Sequence, residues 1–315
     1  MMGKIRFRRV GVCGLAVLLA TATLWAQQAL NAAGTPVHLI VTAEAHKGNN
    51  PPEIKKDDVM VYESKTRDTV TDWIPATGDH AALELFILID DSSNSSLGSQ
   101  LQDIKQFIGH QPATTKIGVA YMQNGIAKVV ANLTDDHDAA ANAVRLPMGI
   151  GGANASPYFS LSDLVKRWPA SNARREVLMI SNGIDLYYGM WDLDDPYLQS
   201  AIDDAGKAGI VVSAIYTPGA GHFGHDYWAS YWGQLYLADL AEKTGGEAYY
   251  IGFTGAPVSF APYLDSLSQN LQHQYFLGFL AQPRKKAGWQ HIRLTTELPG
   301  VDLISAGRVY VPAGQ

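Results

Sequence analysis

Acidic and hydroxyl-bearing residues directly follow a short apolar run near position 90. The run Leu85–Ile89 ends in Asp90 and Asp91, and three serines and one asparagine occupy the next four positions. Apolar residues then recur at the spacing of one helix face, at Leu97, Leu101, Ile104 and Ile108. The pattern predicts a buried strand that delivers carboxylate and hydroxyl oxygens to a turn at its carboxyl end. Open α/β sheets bind ligands there, and such oxygens suit a divalent cation.

Strand-like runs alternate with helical patterns through the middle of the chain. Apolar runs at 117–122 and 126–133 flank Asn124-Gly125, a pair that favours a hairpin because both turn residues need positive φ. Buried strands are predicted at 176–181 and 209–216. Helices are predicted around 161–168, after Asp195-Pro196, before Gly245 and around 264–271. The alternation predicts an α/β fold, with a doubly wound, mostly parallel sheet and one antiparallel edge strand.

The two flanks of this central region have the composition of strands. Strand patterns occupy 37–45, 57–64 and 67–74 before it, and 274–280, 289–298 and 301–311 after it. We expect the flanks to pair into one small, sandwich-like β subdomain. The predicted division is a signal peptide at 1–26, a β segment at 27–80, the α/β domain at 81–255, and a helix with the C-terminal β segment at 256–315.

The N-terminus has the features of a secretory signal peptide. Four basic residues precede the apolar stretch Val10–Leu24, and Ala26 precedes a plausible cleavage point. Cleavage would take the formal net charge from −6 to −10 and would remove Cys13, the only cysteine. We therefore expect an exported protein, periplasmic or secreted, with no disulfide and no membrane span after cleavage. The acidic balance argues against nucleic acid as a partner.

The order of elements, with Asp-x-Ser at the end of the first strand of the α/β region, resembles a von Willebrand factor type A domain over roughly residues 81–255. The whole chain resembles the secreted acidobacterial proteins called VWFA-related. Those have a β segment before the domain and a strand-rich tail ending near Tyr-x-x-Pro. In this chain the corresponding residues are Tyr310 and Pro312, with one residue between them instead of two. In the family three loops hold a metal ion, whose open position takes a carboxylate from a partner protein.

The resemblance implies a metal-binding set that this chain carries in altered form. Its members would be Asp90, Ser92, Asn94, Ser156, Asn182 and Asp185. Asn182 stands where the family has aspartate, and no threonine lies between 135 and 216. Because an amide removes one formal charge, the resemblance implies a degenerate site that holds Mg²⁺ or another divalent cation weakly. A purely structural role as helix caps is the alternative.

Two frames of the first loop remain open. Asp90 with Ser92 and Asn94 is favoured because Asp90 ends the apolar run. The alternative frame is Asp91, Ser93 and Ser95, which fits the full Asp-x-Ser-x-Ser pattern.

Aromatic residues near the same loops are candidate contacts for a partner. We expect a binding face that includes Asp90, Asp91, Tyr187, Tyr188 and Trp191. A second aromatic group, Tyr227, Trp228, Tyr231, Trp232 and Tyr236, has helical spacing that favours packing against the sheet. His222, His225 and Asp226 are a weak zinc candidate that lacks further ligands.

These patterns predict a non-enzymatic, exported protein-binding module. A nucleophile elbow, a phosphate-binding lysine loop and a mature cysteine are missing from the sequence. The alternatives are a divalent-metal-dependent hydrolase that uses Asp90 or Asp91, and a structural component of the cell envelope.

Overall fold

The computed structural model describes residues 34–48, 50–152, 154–188, 195–221, 226–252 and 255–313. The predictions for the signal peptide, Trp191, His222 and His225 lie outside these residues. Within them the strands are β1 (Thr35–Ala45), β2 (Val59–Glu63), β3 (Thr66–Pro75), β4 (Leu83–Asp90), β5 (Thr115–Gln123), β6 (Ile126–Thr134), β7 (Arg174–Ser181), β8 (Ile210–Tyr216), β9 (Ala248–Tyr249), β10 (Gln274–Ala281), β11 (Gly288–Thr296), β12 (Val301–Ile304) and β13 (Arg308–Val311). The helices are α1 (Leu101–Gly109), α2 (His137–Asn142), α3 (Pro157–Arg167), α4 (Pro196–Ala208), α5 (Tyr227–Thr244) and α6 (Ala261–Gln272), and short 3₁₀ helices cover Lys56–Asp58, Gly78–His80 and Ser95–Gln100.

The central part of the chain forms a mixed six-stranded sheet in the order β6-β5-β4-β7-β8-β9. The pairings of β4 with β5 and β7, of β7 with β8, and of β8 with β9 are parallel. The β5–β6 hairpin is antiparallel, and its turn residues Asn124 and Gly125 have φ of 51° and 76°, as the hairpin prediction required.

Helices cover both faces of this sheet, because the side chains of β4 are apolar on both faces. Leu85, Ile87 and Ile89 share a core with α1 and α6. Phe86 and Leu88 face a second core built with α3, α4 and α5. None of the helices in the described residues combines the length and apolar character needed to cross a bilayer.

The flanks form a larger, wholly antiparallel sheet of seven strands in the order β12-β1-β10-β3-β2-β11-β13. Strand β1 lies between β10 and β12, and β10 lies between β1 and β3, so N-terminal and C-terminal strands are interleaved in this sheet. The sheet curls far enough that β11 also approaches β12, and its inner face carries a third apolar core.

The predicted fold class is therefore wrong for this molecule. The mostly parallel, doubly wound sheet is not the main architecture, because the larger of the two sheets is antiparallel and the other is mixed. The flanking strands were expected to form a small accessory sandwich. They form instead one curled sheet, because β1 and β10 pair along eight residue positions and join strands from both flanks edge to edge.

Candidate functional site

Asp90 ends strand β4, and its buried side chain accepts hydrogen bonds from uncharged groups. Its Oδ1 accepts hydrogen bonds from the backbone N–H of Ser92 at 2.9 Å and from the Ser92 hydroxyl at 2.6 Å. Its Oδ2 accepts from the Ser181 hydroxyl at 2.7 Å. Within the described residues Asp90 forms no ion pair. Burial therefore raises the pKa of Asp90, and the hydrogen bonds from Ser92 and Ser181 offset only part of that effect.

Asp91 has a different set of partners. Its carboxylate accepts two hydrogen bonds at 2.8 Å from the guanidinium of Arg145, one from Gln123 and one from the backbone N–H of Met148 at 3.2 Å. Burial alone would raise the pKa of Asp91, but these bonds and the charge of Arg145 hold it below the usual range. Asp91 thus fastens the loop after α2 to the end of β4, and its carboxylate is already paired.

The remaining residues of the first loop, Ser93, Asn94 and Ser95, also differ in their contacts. Asn94 caps the 3₁₀ helix that follows, because its Oδ1 accepts from the backbone N–H of Ser96 at 2.9 Å. Ser93 is fully buried without a hydrogen-bond partner for its hydroxyl among the described residues, and Ser95 makes only a long contact of 3.4 Å to Asn94. Of the two sequence frames, the Asp90 frame therefore supplies the side chains that converge with the third loop, through Ser92.

The third loop follows β7 and presents Asn182 beside Ser92. The Asn182 Oδ1 accepts from the backbone N–H of Ile184 at 2.8 Å, which fixes the orientation of the amide. Its Nδ2 consequently faces the first loop and donates to the Ser92 hydroxyl at 3.2 Å. Ser181 completes the network by accepting from the backbone N–H of Gly183 at 3.0 Å while it donates to Asp90. An N–H donor thus lies where the resemblance implies a carboxylate oxygen.

Two glycines allow this loop to reach its position, and the sequence analysis did not single them out. A Cβ added at Gly183 would overlap the carbonyl oxygen of Gly233 in helix α5, and a Cβ added at Gly233 would overlap the carbonyl oxygen of Asn182. The backbone of α5 therefore touches the third loop directly. A glycine inside an otherwise helical pattern was the available signal for such a close approach.

The second loop contributes Ser156, which pairs with Asp185 of the third loop. Ser156 caps α3 by accepting from the backbone N–H of Phe159 at 3.3 Å, and its hydroxyl donates to Asp185 Oδ2 at 2.7 Å. Asp185 Oδ1 accepts from the backbone N–H groups of Tyr187 and Tyr188 at 2.8 and 3.1 Å. Ser156 and Asp185 thus tie two loops together, and both are almost fully buried.

The loops also exchange backbone hydrogen bonds that hold them in one rim. Asp91 O accepts from Ile150 N at 3.1 Å, Ser92 O accepts from Ala220 N at 2.9 Å, and Ala155 O accepts from Leu186 N at 3.3 Å. Asp90, Ser92 and Ser156 line one cavity of about 10 Å³, the scale of a single water molecule. A wider depression of about 440 Å³ lies beside it, with Ser92, Asn182 and glycines of two loops, 149–152 and 219–221, in its wall.

These residues do not fit a tightly bound divalent cation. The described residues contain no group of three or more histidine, cysteine, aspartate or glutamate side chains able to hold a metal ion. Among the described residues Asp90 is the one carboxylate that Ser92 hydrogen-bonds, Asn94 is used as a cap, and Asn182 offers a donor. Asp226 of the weak zinc candidate caps α5 by accepting from Ala229 N at 2.8 Å.

The rim is surrounded by exposed apolar side chains. Ile150 is 70% exposed, and Tyr187 and Tyr188 are also exposed. Exposed large apolar residues elsewhere in the loops and helix starts at this end of the sheet are Ile126, Leu146, Met148, Leu186, Tyr227, Trp228, Tyr231 and Val258. Packing against the sheet was predicted for the aromatic helix; this is correct for Tyr236 and Trp232 and wrong for the other three, which occupy its first turns.

No family model and no curated protein matches the chain. Solved structures with similar folds include an aerotolerance-related membrane protein from Bacteroides fragilis, at 14% identity and TM-score 0.44, covering 60% of this chain and 98% of that chain. The manganese-loaded TRAP protein of Plasmodium vivax is similar at 9% identity and TM-score 0.42, covering 78% and 96%. The von Willebrand domain of the type V pilus tip protein Mfa5 from Porphyromonas gingivalis is similar at 11% identity and TM-score 0.41, covering 63% and 95%. The last of these is a von Willebrand domain, the kind of domain that the sequence resembles.

Proposed function

We propose that this chain is a non-enzymatic protein-binding module whose ligand face is the loop rim at the carboxyl end of the six-stranded sheet. The observation that carries the proposal is the concentration of exposed apolar side chains around a rigid, hydrogen-bonded polar centre. Ile150, Tyr187, Trp228 and Tyr231 lie among them. Aromatic residues around a preformed depression are typical of protein recognition, because they bury much area at little entropic cost.

Recognition at this rim is proposed to be independent of a divalent cation. Asp90 is already hydrogen-bonded by two serine hydroxyls and a backbone N–H. The Asn182 N–H donates to Ser92 and stabilises the same network, at a position where a metal ligand would have to present a lone pair. A partner would then meet the rim through apolar contact and hydrogen bonds to the exposed loop backbone.

The proposed setting is outside the cytoplasm. This part of the proposal rests on the basic and apolar pattern of residues 1–26 alone. A periplasmic or secreted partner protein, without nucleic acid, is the expected ligand.

The test is affinity capture from an envelope extract with the chain lacking residues 1–26, in the presence and absence of chelator. Two variants alter the rim at exposed side chains, Ile150→Ser and Trp228→Ser. Val130→Ser is the matched control, because Val130 is 40% exposed in the middle of the edge strand β6.

We expect the same protein to be enriched by the wild type and by the control, to be lost with both rim variants, and to be retained in chelator. A photo-crosslinking residue at position 150 should then form an adduct with that protein. Equal enrichment by rim variants and wild type would refute the proposed surface. Loss of the protein in chelator would refute metal-independent recognition while leaving the surface in place.

A further inference from the structure

A cavity of about 440 Å³ lies at the opposite end of the parallel strands, between the six-stranded sheet and the seven-stranded sheet. Its walls come from the starts of β7 and β8, the end of α4, and strands β1, β10 and β13. Four cationic side chains line it, those of Arg174, Arg175, Lys207 and Arg308, and its lining among the described residues includes no aspartate or glutamate. The charge of this lining is positive, whereas the formal net charge of the chain is −6.

Two of the arginines have a buried N–H group without an acceptor among the residues that the structure describes. Arg174 is 5% exposed, and its terminal nitrogens donate to the carbonyl oxygens of Leu271 at 2.8 Å and Ala81 at 3.3 Å and to the side chain of Gln274. Its Nε has no partner in the described part of the chain. Arg174 forms part of the wall between this cavity and a neighbouring one of about 730 Å³.

Arg308 repeats the pattern from the other sheet. Its Nη2 donates to Asp203 at 2.6 Å and its guanidinium lies 4.4 Å from the ring centre of Trp289, which holds the side chain in place. The Nε of Arg308 is buried and lacks an acceptor among the described residues. Buried donors are normally paired, so two unpaired Nε–H groups from arginines that line one cavity indicate an acceptor outside the described residues.

The other two cations have no carboxylate partner within the described residues. Arg175 donates to the carbonyl oxygen of Ala208, and the Lys207 ammonium lies 5.3 Å from the ring centre of Tyr310. Asp203 is engaged by Arg308, and the buried Glu176 interacts with Arg174 without forming an ion pair. The cavity therefore keeps an excess of positive charge.

We propose that this cavity binds a small molecule through a multiply charged oxyanion, either a phosphate group or a di- or tricarboxylate. Guanidinium groups match such oxyanions in geometry and form charge-assisted hydrogen bonds with them. The volume is in the range of small-molecule sites, and Phe276 and Tyr310 add apolar wall for the remainder of the ligand. The site is separate from the loop rim, which lies at the other end of the same strands.

The test is calorimetric titration of the full chain with inorganic phosphate, phenyl phosphate and citrate at matched ionic strength. Variants Arg175→Gln and Lys207→Gln each remove one cation and keep Arg174 and Arg308, whose Nε–H groups lack an acceptor among the described residues. Lys128→Gln is the matched control, because Lys128 is exposed on the edge strand β6. Thermal unfolding of every variant without ligand verifies that the fold is retained.

We expect saturable binding of one class of anion at one site per chain. Each cavity variant should weaken the affinity about tenfold, and Lys128→Gln should leave it unchanged. Preference for the two phosphates over citrate, or the reverse, identifies the oxyanion. Absence of saturable binding for all three probes, or equal weakening in the control and the cavity variants, would overturn the proposal.

Discussion

Asn182 differs from an aspartate by one amide nitrogen, and that nitrogen faces Ser92. In Asn182→Asp, one oxygen can still accept from Ile184 N, while the other faces the oxygen of Ser92 and adds a negative charge near Asp90. We expect the variant to lose roughly 1–2 kcal/mol of stability in chelator, because two carboxylates then share a buried site. Millimolar Mg²⁺ should restore the loss, which thermal unfolding with and without the ion would measure.

The control for this substitution is Asn94→Asp, which adds the same charge at a helix cap on the first loop. We expect its stability to be insensitive to Mg²⁺, and wild-type stability to be equally insensitive. A wild-type protein that gains stability with Mg²⁺ as strongly as Asn182→Asp would contradict the view that the amide disables the site.

A second pair of carboxylates, Glu63 and Asp68, lies on the inner face of the seven-stranded sheet. Burial raises the pKa of both, and the nearby Asp68 carboxylate raises that of Glu63 further. Gln282 donates to each of them, at 2.9 and 2.7 Å. A raised pKa in the folded state means that the protonated form is favoured by folding. Its contribution to stability is full below the ordinary values of 4.5 and 3.8 and is lost as pH rises through the folded pKa.

Glu63→Gln should therefore remove part of the pH dependence. We expect the variant to gain on the order of 1 kcal/mol relative to wild type at neutral pH and to gain nothing in acid, because the repulsion exists only when both groups are ionised. Denaturant unfolding across a pH series measures the difference. Glu297→Gln, at an exposed position, serves as control. Equal slopes for wild type and Glu63→Gln would contradict the assignment.

At the scale of elements, helix α5 positions the third loop through Gly233. Replacement of a mid-helix glycine by alanine ordinarily stabilises a helix by up to about 1 kcal/mol. Here the added Cβ would overlap the carbonyl oxygen of Asn182 and lie 3.2 Å from Ile184 Cγ1, so helix and loop must separate. We expect Gly233→Ala to destabilise the protein by roughly 1–3 kcal/mol, as measured by denaturant unfolding, and to weaken partner capture.

Gly109→Ala is the corresponding control in α1. Apart from the local helix backbone, no described atom lies within 4 Å of the Cβ that alanine would introduce there, so we expect unchanged or slightly higher stability. If Gly233→Ala stabilised the protein as much as Gly109→Ala, the close approach would have no energetic role.

Local signals in the sequence located the elements well. The Asn124-Gly125 turn and the Asp195-Pro196 helix start were predicted because the residues that specify them are adjacent. The position of β1 between β10 and β12 was not predicted, since edge-to-edge pairing of strands more than 200 residues apart leaves no local pattern. That missing information is why the fold class was wrong.

For the candidate site, the sequence likewise identified the residues but not the contacts between distant parts of the chain. Asp90 was found because it ends a buried strand, and Asn182 because the resemblance implies a metal ligand in the loop after another buried strand. The orientation of the Asn182 amide depends on the backbone N–H of Ile184, and the pairing of Asp91 depends on Arg145, 54 residues away. Neither contact has a sequence signature, so the residues were identified while their roles were not.

At the scale of the whole molecule, the two sheets are joined by polar contacts at Asp203 of α4. Its carboxylate accepts from Trp289 Nε1 at 3.2 Å and from Arg308 Nη2 at 2.6 Å, both in the seven-stranded sheet. Gly206, one turn later, leaves room for the Trp289 ring, which lies 2.7 Å from where a Cβ would be. Strands β1 to β3 precede the α/β region and β10 to β13 follow it, so this region is inserted between the two groups of strands that make the seven-stranded sheet.

Asp203→Ala tests whether this junction couples the two sheets. The variant leaves the Trp289 and Arg308 donors without their acceptor, so we expect a loss of about 1–3 kcal/mol while unfolding remains a single transition. Asp204→Ala, the neighbouring residue, removes only an ion pair with the exposed Lys166 and should cost about 0–1 kcal/mol. Tryptophan fluorescence and far-ultraviolet circular dichroism should give coincident denaturation curves for both. Two separated transitions in Asp203→Ala would mean that the seven-stranded sheet and the α/β region unfold independently, with Asp203 as their main connection.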